Sequence, residues 1–194
     1  PNIVNNNGDK AAHIVSNGRR NDGLYHFLLH PEFNPAIVNH DLDTVLHLAC
    51  RTGQEICDEM FDKLRALVSA RNKRGQTPLH DAARKGNGET IELLLSEPKT
   101  EIQARDEDGN TAAHILVLAA EQEKEPEWWS NLPESGFWTA AWVTLDLFLD
   151  RREMDVDALN NDEESILEIA ERQGAPDDFY SIQHLRERSQ IRSE

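Results

Sequence analysis

Histidine is the reactive side chain most conspicuously patterned in this chain. Four of the eight, His13, His47, His80 and His114, recur at intervals of 34, 33 and 34 residues. A histidine can hold a metal or move a proton near neutral pH. Either use needs a second ligand or an activated partner nearby, and neither lies at a fixed short spacing from these four. His26, His30, His40 and His184 show no ligand spacing either. Cys50 and Cys57 fit neither a disulfide framework nor a zinc site, and are expected to be buried reduced thiols. Gly86-Asn87-Gly88 lacks the Lys-Ser/Thr of a phosphate loop, and neither a nucleophile elbow nor His-Glu-x-x-His occurs. Paired carboxylates such as Glu163-Glu164 belong to a solvated acidic surface. No catalytic residue, metal or cofactor is expected.

The interval says more than the histidines themselves. His80 closes Gly75-Gln76-Thr77-Pro78-Leu79-His80, which runs into Asp81-Ala82-Ala83 and then Gly86. Variants of that segment end at His13, His47 and His114, and a fainter one ends at Glu168, 54 residues beyond His114. A fixed period of this size means stacked supersecondary units rather than one globular core. In the clearest copy, Thr77 suits a helix N-cap and Pro78 the first helical position. Leu79, Ala82 and Ala83 give a short apolar helix whose small residues admit a close neighbour. After the Gly86-Asn87-Gly88 break, Ile91, Leu94 and Leu95 form the stripe of a second helix, stopped by Pro98.

These segments resemble the ankyrin repeat. The resemblance rests on Thr77-Pro78-Leu79-His80 with Ala82-Ala83, Thr44-Val45-Leu46-His47 with Ala49, and Thr111-Ala112-Ala113-His114. Gly8-Asp9-Lys10-Ala11-Ala12-His13 is weaker, with Lys10 in place of Thr, and Ser165-Ile166-Leu167-Glu168-Ile169-Ala170 is weaker still. Asn5, Asn39, Asn72, Asp106 and Asn160 begin the corresponding turns. The resemblance implies an all-α repeat solenoid with short β-hairpin fingers, an array of about five repeats with one insertion. As one domain over 1–194, its repeats would run 1–38, 39–71, 72–105, 106–159 and 160–194, the last a polar capping repeat with Arg186, Glu187, Arg188 and Arg192 facing water. It also implies that His13, His47, His80 and His114 bridge neighbouring loops, and that partners meet the finger tips and inner-helix faces. Carried onto this chain, those positions are Arg71, Lys73, Arg74, Gln76, Arg84 and Lys85, then Glu107, Asp108 and Asn110.

The insertion, about 121–137, departs from the family pattern. All four tryptophans fall in it or just after it. Trp138, Trp142, Leu145 and Leu149 are spaced as one face of a helix. Trp128 and Trp129 sit in an acidic segment between Pro126 and Pro133. They either anchor a partner, as tryptophans at interfaces often do, or fold back over apolar surface. The usual burial of large aromatics favours the second reading.

Net charge is −16 at pH 7. Residues 51–100 carry nine basic and eight acidic side chains, whereas 101–150 carry two and eleven. That field disfavours nucleic acid and anionic membranes and favours a partner with a basic surface. The longest apolar stretch, 112–120, is too short to span a bilayer, and neither a signal-peptide pattern nor a glycosylation sequon is seen. The expectation is an intracellular, cytoplasmic or nuclear, monomeric protein-interaction module: a scaffold, adaptor or effector recognition domain. Two alternatives are an inhibitor of a transcription factor like those of NF-κB, and the regulatory domain of an enzyme or channel. Pro1 in place of an initiator methionine is expected of a segment of a longer protein.

Overall fold

The computed structural model describes the backbone of residues 5–18, 21–122, 136–175 and 180–191. Trp128 and Trp129, with most of the expected insertion, lie outside the described residues. The rest forms ten α-helices in two rows. The inner row comprises α1 (Ala11–Ser16), α3 (Val45–Thr52), α5 (Pro78–Lys85), α7 (Ala112–Gln122) and α9 (Ile166–Arg172). The outer row comprises α2 (Asn21–Leu29), α4 (Asp58–Leu64), α6 (Gly88–Ser96), α8 (Gly136–Leu149) and α10 (Tyr180–Ile191). Each inner helix packs on the next inner one.

Most of these helices are too short to persist alone in water. Their ends are therefore fixed locally and their faces by packing. Thr44 and Asn87 cap α3 and α6 by accepting from the His47 and Thr90 amides. Gly53 and Gly86 end α3 and α5 in the left-handed conformation, each donating back to the last turn. Ala12, Ala49, Ala82, Ala83, Ala113 and Ala170 are buried along the inner row, where the absence of longer side chains lets helix axes approach. Outer-row residues fill the other side: Leu24, Met60, Phe61, Ile91, Leu94, Trp142, Phe148 and Ile182 all join one continuous core. Trp142, Leu145 and Leu149 are buried from a single helix, α8, as their spacing predicts; the side chain of Trp138, the fourth member of that face, lies outside those described.

The last outer helix is tied down by polar bonds as well. Ser181 donates to the Trp142 carbonyl, and Arg188 donates to the carbonyls of Leu149 and Met154 at 2.7 and 2.8 Å. The sequence reading sets Arg188 on a water-facing surface. In the structure its guanidinium instead closes the C-terminal end of α8, whose last carbonyls have no helical partner. Cys57 also differs from expectation: it is exposed at the start of α4, whereas Cys50 is fully buried, which pushes its thiol pKa up.

Five turns project from the inner row, and they share one hydrogen-bond scheme. Asn5, Asn39, Asn72, Asp106 and Asn160 each donate their amide to the carbonyl four residues on. Each side-chain oxygen accepts the amides two and four residues on. The fourth turn residue is left-handed: Gly8, Leu42, Gly75, Gly109 and Glu163 have φ between 61° and 76°. Successive turns are then stitched together, with the amides of His40, Lys73, Glu107 and Asn161 donating to Asn7, Asp41, Arg74 and Asp108. Among the described residues there is no strand, and one antiparallel bridge, between Val38 and Thr44, closes the second of these turns. In each turn after the first, the amide one place after the turn start is the one directed along the stack, to the preceding turn.

At Gly109 a side chain would meet more than the left-handed backbone. A Cβ there would lie 2.4 Å from Asn161 Oδ1 and 2.8 Å from its backbone nitrogen, whereas a Cβ at Gly86 (φ 67°) has nothing within 4 Å. Gly86→Ala is therefore expected to cost roughly 1 kcal/mol from backbone strain alone. Gly109→Ala should cost roughly 3 kcal/mol because the adjoining turn must shift too. Denaturant unfolding of the two variants checks this; equal losses would mean the turn stack yields freely.

Candidate partner-binding surface

The four repeated histidines are spent inside the stack. Each Nδ1 accepts a backbone amide at its own helix start: Lys10 at 3.1 Å, Thr44 at 3.2 Å, Thr77 at 3.1 Å and Thr111 at 3.3 Å. A ring nitrogen that accepts an N–H carries no proton, so the proton of the neutral ring is on Nε2. Nε2 then donates onward to the carbonyls of Ile37, Gln76, Asn110 and Ala158. Lys10 can replace threonine because the first bond needs only a main-chain amide. Burial holds the pKa of His47, His80 and His114 below the usual 6.5. At the last turn Glu168 accepts the Ser165 amide and hydroxyl at 2.7 and 2.8 Å, performing the inward half of the histidine's task. A carboxylate has no proton to donate onward, and among the described residues no further turn follows.

Beside His47 and His80 lies an ionic cluster that the motif reading does not single out. Arg51 binds Asp43 through both terminal nitrogens, at 2.8 and 2.9 Å, and Asp81 through Nε and Nη2, at 2.9 and 3.1 Å. Both carboxylates are almost fully buried. Burial opposes ionisation of Asp43, but bonds from Arg51 and Asn72 override it and leave its pKa below the usual carboxylate value. Paired bonds from a fixed guanidinium fork are among the stronger hydrogen bonds proteins make. The sequence signal was faint: an arginine four places after His47 and an aspartate one place after His80.

That cluster forms the floor of a concavity of about 400 Å³, whose rim carries Lys73, Arg74 and Arg84 together with exposed Asp41. All three rim cations are exposed, as is Lys85. The other expected surface residues divide. Glu107 and Asp108 are exposed on the next turn. Arg71 is exposed but bonded to the Gly75 and Arg105 carbonyls and to Glu101, linking two turns. Gln76 and Asn110 depart from the expectation, because both are buried. Gln76 donates to Asp106, and Asn110 accepts from Asn160, so their side chains point along the stack rather than outward. A larger and mainly apolar concavity, about 690 Å³, lies between α1, α2 and the loop after it, walled by His26, Phe27, His30 and Phe33.

Turn, paired helices and a histidine bridging to the following turn recur in register along the described chain. A family model for ankyrin repeats, in three copies, matches residues 10–106 and 59–124, more than half of the sequence. The chain belongs to the ankyrin repeat family. Ankyrin repeats generally bind other proteins, and the family is typically non-enzymatic. The ankyrin match ends before residue 125, yet the turn at 160–164 stacks on that at 106–110 with the same bonds. Mouse and human Rabankyrin-5 are each 37% identical to this chain over 71 residues, which is 37% of its length and 6% of theirs. The similarity thus spans a small part of those relatives. Among the described residues, no helix is long and apolar enough to cross a membrane.

Two consequences follow for stability. The folded chain holds His47, His80 and His114 below their unfolded pKa, so the unfolded chain binds protons more tightly. Stability is full above pH 6.5 and falls as pH drops from there toward the folded values. Unfolding at pH 7.5 and 5.5, above the carboxylate range, is expected to differ by roughly 1–3 kcal/mol; an unchanged midpoint would contradict the neutral-histidine assignment. Arg51→Leu leaves two buried carboxylates without their cation. It is expected to cost about 3 kcal/mol, at the low end for a broken buried pair because Arg51 is partly open to water.

Proposed function

We propose that this chain is a protein-recognition module of five ankyrin repeats that carries no catalysis of its own. Its repeats are taken at 1–38, 39–71, 72–105, 106–159 and 160–194. It serves as the recognition part of a scaffold, adaptor or effector, working as a monomer inside the cell. The binding surface is the edge formed by the turn tips and the adjoining ends of the inner helices. One observation carries this reading: charges there are exposed and segregated. Lys73, Arg74, Arg84 and Lys85 are exposed on the third unit, and Glu107, Asp108, Asp162 and Glu163 on the two turns that follow. A partner of opposite charge order, basic where it meets the C-terminal turns, gains steering and register from this arrangement. The rigid stack also limits the ordering entropy lost by the module on binding.

The test is affinity capture from lysate, with the retained protein identified and its Kd measured for each variant. Lys73→Glu/Arg74→Glu and Glu107→Lys/Asp108→Lys are expected to weaken binding at least tenfold. A parallel Trp128→Ala/Trp129→Ala variant decides the role of the insertion. If only the tryptophan variant loses the partner, recognition belongs to the insertion and the turn-tip surface is not the site.

A further inference from the structure

The ankyrin register makes Arg84 the counterpart of Arg51: each stands four residues after its repeat histidine, near the end of an inner helix. Arg51 shows what a guanidinium at this place holds. Its two forks grip Asp43 at the preceding turn and Asp81 on the next inner helix. In the unit of Arg84 both carboxylates are replaced. Gln76 stands where Asp43 would be, and Ile115 where Asp81 would be. Gln76 is directed away, bonded to Asp106, and Ile115 is buried and apolar. No described carboxylate forms an ion pair with Arg84, nor with Lys73 or Arg74, which share its concavity. Arg65, Arg71, Arg172 and Arg186 each pair with an acidic neighbour, whereas Lys63, Lys85 and Lys99 form no ion pair among the described residues either. A chain of net charge −16 has many carboxylates to spare, yet none of those described, Asp41 on the same rim included, forms an ion pair with these three cations.

The geometry points to a carboxylate receptor: Arg84, flanked by Lys73 and Arg74, takes aspartate or glutamate side chains from an acidic segment of the partner protein. The incoming carboxylate supplies to Arg84 what Asp43 and Asp81 supply to Arg51 within the chain. The guanidinium fork suits a planar carboxylate, and the two neighbouring cations draw the segment in and extend the contact along it. Asp43 and Asp81 do not repel it strongly, since Arg51 and Asn72 already occupy their oxygens, and the one exposed acid of the rim, Asp41, is outnumbered by the three cations. The cationic rim thus binds the acidic part of a partner whose basic part faces Glu107 and Asp108.

The inference rests on the turn-tip reading but fails separately from it. The probe is a fluorescein-labelled peptide of repeated Glu-Gly, titrated against the whole chain by anisotropy, with repeated Lys-Gly and phosphoserine-Gly peptides as comparisons. The Glu-Gly peptide is expected to bind. Arg84→Gln should weaken it about tenfold and Arg84→Lys by a smaller factor, because lysine keeps the charge and loses the fork. Lys63→Gln and Lys99→Gln, cations outside this concavity, should leave binding unchanged. Arg84 is exposed, so unchanged melting of its variants checks that they fold. Equal affinity for wild type and Arg84→Gln overturns the receptor, as does binding of the lysine or phosphoserine peptide without the glutamate one. If Arg84→Gln keeps the captured partner while Glu107→Lys/Asp108→Lys loses it, the receptor falls and the turn-tip surface stands.

Discussion

A five-residue turn has more backbone donors and acceptors than it can satisfy by itself, and this shortage governs the molecule. The Asn or Asp at each turn start uses one side-chain oxygen to hold two amides of its own loop. The amide at the next position then has no local acceptor and takes a carbonyl from the preceding turn. The repeated histidine closes the same circuit from the helix side, accepting at its own unit and donating to a carbonyl at the start of the next. Each such bond contributes on the order of 1 kcal/mol net, but an unsatisfied buried partner costs more. A unit without a neighbour is therefore incomplete, and stability is a property of the stack rather than of any helix in it.

That dependence separates scaffold from surface at short range. Within the turn 72–76, Asn72 and Gln76 are buried and point along the stack, while Lys73 and Arg74 between them are exposed. Alternation follows from the turn itself: positions whose side chains meet the next turn cannot also meet solvent. The same division explains how Arg51 and Arg84, equivalent in register, differ in character. One is neutralised by carboxylates placed at two scaffold positions, and the other is left charged because those positions hold glutamine and isoleucine.

The repeat was legible because its signals are local. A threonine cap, a histidine three residues on, alanines on the inner face and a glycine at the helix end all act within one helix, so spacing alone exposes them. The α8 face of Trp142, Leu145 and Leu149 was legible for the same reason. Gln76 and Asn110 were misjudged because membership of a finger says nothing of which side chains face the adjoining finger. Arg188 was misjudged because its acceptors, Leu149 and Met154, are more than thirty residues away in sequence.

Period, caps, glycines and apolar stripes are local properties of the sequence that fix the repeating unit, and a unit that cannot satisfy itself must stack. Tertiary structure alone decided which charges remain available. Asp43, Arg51 and Asp81 come from two repeats, and only stacking brings their carboxylates and guanidinium into hydrogen-bond range. Ion pairing depends on distance in space, and residues thirty apart in the chain become neighbours only when successive units align.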